Sequence, residues 1–156
     1  MLRVLALSLA LIAPPLAAQT IGPREGWVVQ PTPHGFDTLV ERVRVAVEAA
    51  PIAIVTQASA SDGAKAAGIA IPGNRVFGLF RNDYARRMLA ASVAAGIEAP
   101  IVLYVTETAD GTASLSWKTP SFVFAPYADE GGAPLAALAA ELDAIFVGVA
   151  TAAAMP

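Results

Sequence analysis

The sequence predicts a single two-layer α+β domain, with a mixed sheet of about five strands and helices packed on one face. Short apolar runs rich in β-branched residues recur along the chain, and amphipathic segments of helical period separate most of them. The last two predicted strands are instead joined by a tight Asp-Gly turn. At 156 residues the chain is long enough for one substantial core, which we place at 26–153.

Residues 1–18 are typical of a secretory signal peptide. Arg3 gives a positively charged start, residues 4–13 form an apolar core, and Pro14-Pro15 precede the small residues that end at Ala18. The apolar run is shorter than the roughly 20 residues that a membrane span needs. We therefore expect cleavage after export and no membrane span in the mature protein. Its location would be the periplasm, or the medium if there is no outer membrane.

The first half of the mature chain predicts two strands and two helices after a flexible lead-in at 19–25. A strand at 26–30 precedes a helix that begins at 36 or 37 and ends at 50, before Pro51. A strand at 52–56 and a short Ala-rich helix at 59–67 follow. The first helix has an inner face and a charged outer face, on which we place Glu41, Arg42, Arg44 and Glu48.

The central part of the chain predicts a strand at 76–80 and a helix at 84–95. Asn82 or Asp83 would cap this helix, because their side chains accept hydrogen bonds from free backbone amides. Gly96 would end it, since glycine takes a positive φ without steric cost.

A β-hairpin is predicted next. The strand at 101–106 is an unbroken apolar run, and Asp110-Gly111 suits a tight turn. The return strand at 113–118 alternates in polarity, with a core face and a solvent face. The core face would carry Leu115 and Trp117, and the solvent face Ser114, Ser116 and Lys118.

The last predicted helix runs from 133 to 153, after about one helical turn within 121–127. Its apolar residues recur every three to four positions, while Glu141 and Asp143 lie in its middle. Charges there disfavour a membrane span and favour packing in the core or in a dimer.

Composition narrows the classes of function. The formal charge is −3 with no basic block, which disfavours a nucleic-acid partner. The chain has no cysteine, so disulfides, thiol nucleophiles and cysteine metal sites are excluded. Neither a dinucleotide-binding nor a P-loop pattern occurs, and the only histidine, His34, lies in a predicted turn without a ligand motif around it. We therefore predict no cofactor and no metal, and identify no catalytic residue.

Arg81, Asn82 and Tyr84 form the first candidate binding cluster, with Arg86 and Arg87 behind them. They lie where a strand ends and a helix begins, a place where backbone amides and guanidinium groups can hold a carboxylate or phosphate. The simpler interpretation is a solvated helix face with Asn82 as a cap.

The second candidate cluster joins Tyr104 and Thr106 with Trp117 and Lys118 on the partner strand, near Tyr127. Opposed aromatic residues on a sheet could form the floor of an apolar pocket. The simpler interpretation is cross-strand packing.

Four blocks of the chain, at 35–42, 75–82, 99–105 and 109–112, together resemble the prokaryotic family known as domain of unknown function 302. The likeness extends over essentially the whole mature chain. In that family Pro often follows the Asn that closes the central strand, whereas Asp83 stands here. The resemblance implies a compact α/β domain that tends to form homodimers, and it implies no reaction.

The hypothesis that follows is an exported homodimeric domain that binds a small ligand or an envelope protein and is not an enzyme. One alternative is a metal-independent enzyme that uses Arg81, Asn82, Tyr84 and Tyr127. Another is a structural assembly protein with no small-molecule site. A pocket that joins Arg81 to Tyr127 would favour the enzyme or ligand hypotheses.

Overall fold

The computed structural model describes residues 17–156, and a five-stranded sheet forms its centre. The strands are β1 (Trp27–Pro31), β2 (Ala53–Ala58), β3 (Asn74–Phe80), β4 (Ile101–Glu107) and β5 (Ala113–Lys118), in the spatial order β1-β5-β4-β3-β2. The predicted α+β class and the number of strands are confirmed. The signal peptide predicted at 1–18 lies, apart from its last two residues, outside the described residues.

Every pair of neighbouring strands is antiparallel. The prediction of a mixed sheet was therefore wrong. The expectation came from helices between strands, which often link parallel neighbours. Here the chain leaves β3 through a helix and returns through a 3₁₀ turn to the same end of the sheet, so that Leu79 pairs with Ile101. A helix inserted between two antiparallel strands therefore gives the same strand–helix–strand sequence pattern as a βαβ unit with parallel strands.

The helices are α1 (Phe36–Glu48), α2 (Ala60–Ala66), α3 (Asn82–Ala91), α4 (Pro120–Phe124) and α5 (Ala128–Ala154), with 3₁₀ turns at Ala94–Glu98 and Ala125–Tyr127. Helix α1 contacts the sheet and α5, and α5 also contacts α3 and α4. The core lies between these helices and one face of the sheet, as predicted. Its largest fully buried side chains include Phe77, Leu103, Leu115, Leu39, Val43, Leu138 and Phe146.

Both ends of helix α3 and the start of helix α5 differ from the prediction. Helix α3 ends at Ala91 because Ser92 is extended, and the Ser92 hydroxyl instead accepts a hydrogen bond from the Ala95 amide in the following 3₁₀ turn. Arg81 precedes α3 as its N-cap without a side-chain hydrogen bond, so neither Asn82 nor Asp83 caps the helix. Helix α5 begins earlier than predicted, at Ala128, with a kink at Gly132, where φ is 51°.

Arg42 lies against the end of α5, although α1 was predicted to point it outwards. Its Nε donates to the Ala153 carbonyl at 2.7 Å, and its Nη2 donates to the Met155 carbonyl at 2.5 Å. The ring Nε2 of His34 lies 2.8 Å from the same Met155 oxygen. The last carbonyls of a helix have no partner within it, so these two side chains act as its C-terminal cap.

The segment Pro120–Ala154, which includes α4 and α5, is long and apolar enough to cross a membrane by length and composition alone. Core helices of globular proteins meet the same criterion. Leu138, Leu142 and Phe146 of α5 are buried against the rest of the domain, so its apolar character has a structural explanation within the fold.

Candidate functional site

The face of the sheet opposite the helical layer carries an elongated groove of about 290 Å³, which we call the open-face groove. Strands β1, β3, β4 and β5 supply its main walls through Trp27, Val76, Val102, Tyr104, Ser116 and Lys118. Ile97, Glu98, Pro100, Ile101, Trp117 and Val123 complete the lining. Most of these side chains are apolar, which is typical of a small-molecule site.

The strand register explains why these side chains lie together. Tyr104 pairs with Val76 on one side and with Ser116 on the other, and Trp27 pairs with Lys118. Residues directly opposite one another in an antiparallel pair share a face of the sheet. Of the predicted site residues, Tyr104 and Lys118 are thereby brought into one groove.

Trp117 contributes to the lining of the groove but does not share the open face of the sheet with Tyr104. It pairs with Leu103 on the core face and is only 2% exposed, so the predicted pairing of Trp117 with Tyr104 was wrong. The aromatic residue that shares the open face with Tyr104 is Trp27, and the sequence does not reveal it because the pairing of β1 with β5 has no local signal. The alternation along β5 could have pointed to Ser116, since it lies two positions before Lys118.

Of the three residues predicted on the solvent face of β5, Lys118 is exposed, but the two serines are buried. Ser114 and Ser116 are 1% and 0% exposed. Strand β5 lies in the interior of the sheet between β1 and β4, so both serines have larger cross-strand neighbours. An alternation of polar and apolar residues does not distinguish a serine buried on an interior strand from one on a solvent-exposed face of a sheet.

Three hydroxyls on this face have no hydrogen-bond partner among the described residues: those of Thr106, Ser114 and Ser116. Thr106 pairs with Ser114, and Ser116 follows two positions later along β5. Buried polar groups in proteins are nearly always hydrogen-bonded, so unpartnered ones call for an explanation.

Two cations lie beside the indole ring of Trp27. The Lys118 ammonium is 5.8 Å and the Arg24 guanidinium 5.3 Å from the ring centroid. Both distances are within the range of cation–π attraction. Neither cation forms an ion pair with another described residue.

A hydrogen bond at the edge of the groove involves Tyr127, the third predicted residue in this region. Its hydroxyl donates to the Glu98 carboxylate at 2.7 Å, and Glu98 lines the groove. The bond to Glu98, which favours the neutral phenol, raises the pKa of Tyr127 above its ordinary value. Glu98 is therefore already engaged by the chain's own side chain.

Tyr104 also lines a second cavity of about 240 Å³ on the same face, together with Thr106, Asn74, Glu107 and Gln19. The Glu107 carboxylate there accepts a hydrogen bond from the Gly73 amide at 2.7 Å.

The predicted cluster at Arg81, Asn82 and Tyr84 lies elsewhere. Arg81 and Tyr84 line a cavity of only about 30 Å³ between the sheet and the helical layer. The Arg81 Nε donates to Asp83 at 2.6 Å, and its guanidinium lies 4.5 Å from the Tyr84 ring centroid. The Asp83 carboxylate already binds the Arg81 guanidinium, so an external anion would have to displace this carboxylate. Asn82 is exposed on the first turn of α3.

Arg87 joins α3 to α5 through a bidentate ion pair with Glu141, with N–O distances of 2.8 and 2.7 Å. The hydrogen bond from Arg87 lowers the pKa of Glu141 to about 2. Burial is the first cause that raises the pKa of Tyr84, and the neighbouring Glu141 adds to it. This cluster connects two helices within the fold.

The six predicted site residues thus lie in separate regions, and none of the cavities found among residues 17–156 is lined by both Arg81 and Tyr127. In the same part of the chain, no group of three or more potential side-chain ligands could hold a metal ion.

Comparison with known proteins identifies the family. The family model described as "Domain of unknown function DUF302" matches residues 28–149. Comparison with curated proteins gives no match. The fold is similar to that of an uncharacterized conserved DUF302 protein from Bacillus stearothermophilus, solved by crystallography. The TM-score is 0.72 at 15% identity, over 83% of this chain and 99% of that one. Because the family model covers most of the chain, the protein belongs to the DUF302 family.

Proposed function

We propose that the mature protein is an exported, homodimeric, non-enzymatic domain that binds a small ligand in the open-face groove. The observation that carries this proposal is the groove itself. Its walls are aromatic and aliphatic, and its only charged lining residues are Glu98 and Lys118. Glu98 is held by Tyr127, which leaves a site suited to recognition and without an acid–base pair poised over it.

Export is supported by the pattern of residues 1–18. Dimerisation is an expectation from the family resemblance. It is consistent with the apolar side chain of Val93, which is 78% exposed and lies outside the lining of the groove. Exposed apolar surface of this kind is a feature of protein interaction sites.

A structural assembly role is the second candidate, because Ile97 and Val102 line the groove and remain exposed. A second copy of the chain seated on the open face would cover the groove and leave no room for a ligand. The two functions therefore make opposite predictions about the groove in the dimer.

Native mass spectrometry of protein purified from the periplasm, after expression with residues 1–18 intact, tests the proposal. We expect a chain shortened at its N-terminus, a dimer, and a retained small molecule. Val102→Trp should displace the retained molecule because it fills the groove, whereas Val45→Trp, on an exposed position of α1, should not. A dimer without added mass, whose dissociation is increased by Val102→Trp, would favour assembly. Retention of the molecule by Val102→Trp would refute the groove as its site.

A further inference from the structure

One end of the open-face groove is cationic. Most other cations have partners or lie on helix surfaces: Arg44, Arg75, Arg81 and Arg87 are ion-paired with carboxylates, Arg42 caps α5, and Arg86 and Lys65 are exposed on α3 and α2. Lys118 lines the groove, lies within 6 Å of the Trp27 ring centroid, and has no carboxylate partner among the described residues. Arg24 lies outside the lining but within 6 Å of the same ring. An unpaired ammonium in a largely apolar groove attracts an anion, and the guanidinium beside Trp27 adds to the positive potential there.

The floor of the groove adds a polar group close to this cationic end. Ser116 lies two positions from Lys118 on the same face of β5, a separation of about 7 Å along a strand. Its hydroxyl is fully buried and has no partner among residues 17–156. A hydroxyl in this state gains a hydrogen bond from a ligand without losing one within the protein.

The remainder of the groove is apolar and limited in size. Val76, Val102 and Tyr104 form its walls away from Lys118. At roughly 30 Å³ per water-sized group, the volume of about 290 Å³ accommodates about ten such groups. A site of this size suits a short chain or a single aryl group, and its one cationic end suits one negative charge.

We propose that the open-face groove binds small amphiphilic monoanions, in particular carboxylates with an aliphatic or aryl body. The carboxylate lies beside the Lys118 ammonium and accepts a hydrogen bond from Ser116. The apolar body packs against Val102 and Tyr104. This inference rests on the proposed function, and it adds the chemical class of the ligand.

Isothermal titration of the mature protein with decanoate, decanol and decyltrimethylammonium tests it, because the three probes share one chain and differ in charge. We expect decanoate to bind most tightly and the cation most weakly. Lys118→Met keeps the apolar stem and removes the charge. It should weaken decanoate binding about two- to fivefold, as expected for a partly exposed ion pair, and leave decanol binding unchanged. Lys65→Met is the matched control, since Lys65 and Lys118 are the only lysines in the chain.

Ser116→Ala separates recognition from structure. If the hydroxyl binds the carboxylate, decanoate affinity should fall about threefold, while the urea midpoint of the free protein stays the same or rises, because an unpartnered buried hydroxyl is removed. A lowered midpoint with unchanged decanoate affinity would instead assign the serine a structural role and overturn its place in the site.

The outcomes distinguish the two proposals. Equal affinities for decanoate and decanol, together with no effect of Lys118→Met, would overturn anion recognition and leave the groove as an apolar site. Absence of binding by all three probes would overturn the ligand class. Binding unaffected by Val102→Trp would refute the groove itself, and with it the proposed function.

Discussion

Replacing Arg42 with methionine should destabilise the domain by about 1–2 kcal/mol. The guanidinium donates to two carbonyls at the end of α5, at 2.7 and 2.5 Å. A cation at a helix C-terminus contributes about 0.3–1 kcal/mol, and up to about 2 kcal/mol in partly buried geometries. Methionine retains most of the apolar stem, so the loss is mainly that of the two charged hydrogen bonds.

Urea denaturation of the protein, followed by circular dichroism, measures this loss of stability. In thermal denaturation, the melting temperature should fall by about 3–8 °C. Arg86→Met is the matched control, because Arg86 is exposed and has no ion-pair partner among residues 17–156. Hydrogen exchange should increase mainly in the last turn of α5. Equal stabilities of the Arg42 and Arg86 variants would refute the capping role.

Two further predictions concern other contacts in the fold. The pKa of Glu141 is lowered to about 2 by Arg87, so this pair contributes stability above the ordinary pKa of about 4.5, and the contribution is lost as the pH falls towards 2. Glu141→Gln should therefore destabilise the protein near neutral pH and have little effect at the acid end, and a pH-independent difference in urea midpoints would contradict this. Gly26→Ala should cost about 1 kcal/mol or more, because Gly26 has a φ of 71° and an added Cβ would lie 2.1 Å from the Phe122 ring. An unchanged melting temperature would show that the Phe122 ring and the backbone adapt without cost.

The local elements could be predicted because their signals are local. The apolar stripe of α1 and the Asp-Gly turn before β5 act over a few residues, and both lie where expected. The groove could not be predicted in the same way. Trp27 and Tyr104 line one groove only because β1 pairs with β5, and this pairing joins segments that are far apart in the sequence.

The same limit applies to individual charged residues. Arg42 has the helical spacing of a solvated residue, and its role becomes visible only when the end of α5 is in place. Arg81 has the composition of an anion site, but Asp83, two positions later, occupies it. At both positions the residue type indicates a cation that binds an acceptor. It does not indicate which acceptor that is.

The pairing of the first strand with the last also determines when the fold can be completed. During synthesis, β1 has no sheet partner until β5 has emerged, and closing so long a loop is slow relative to local helix formation. Because Trp27 and Lys118 come from these two strands, the cationic end of the groove forms only at that last step. If the groove binds a ligand as proposed, binding would begin only after β1 and β5 have paired.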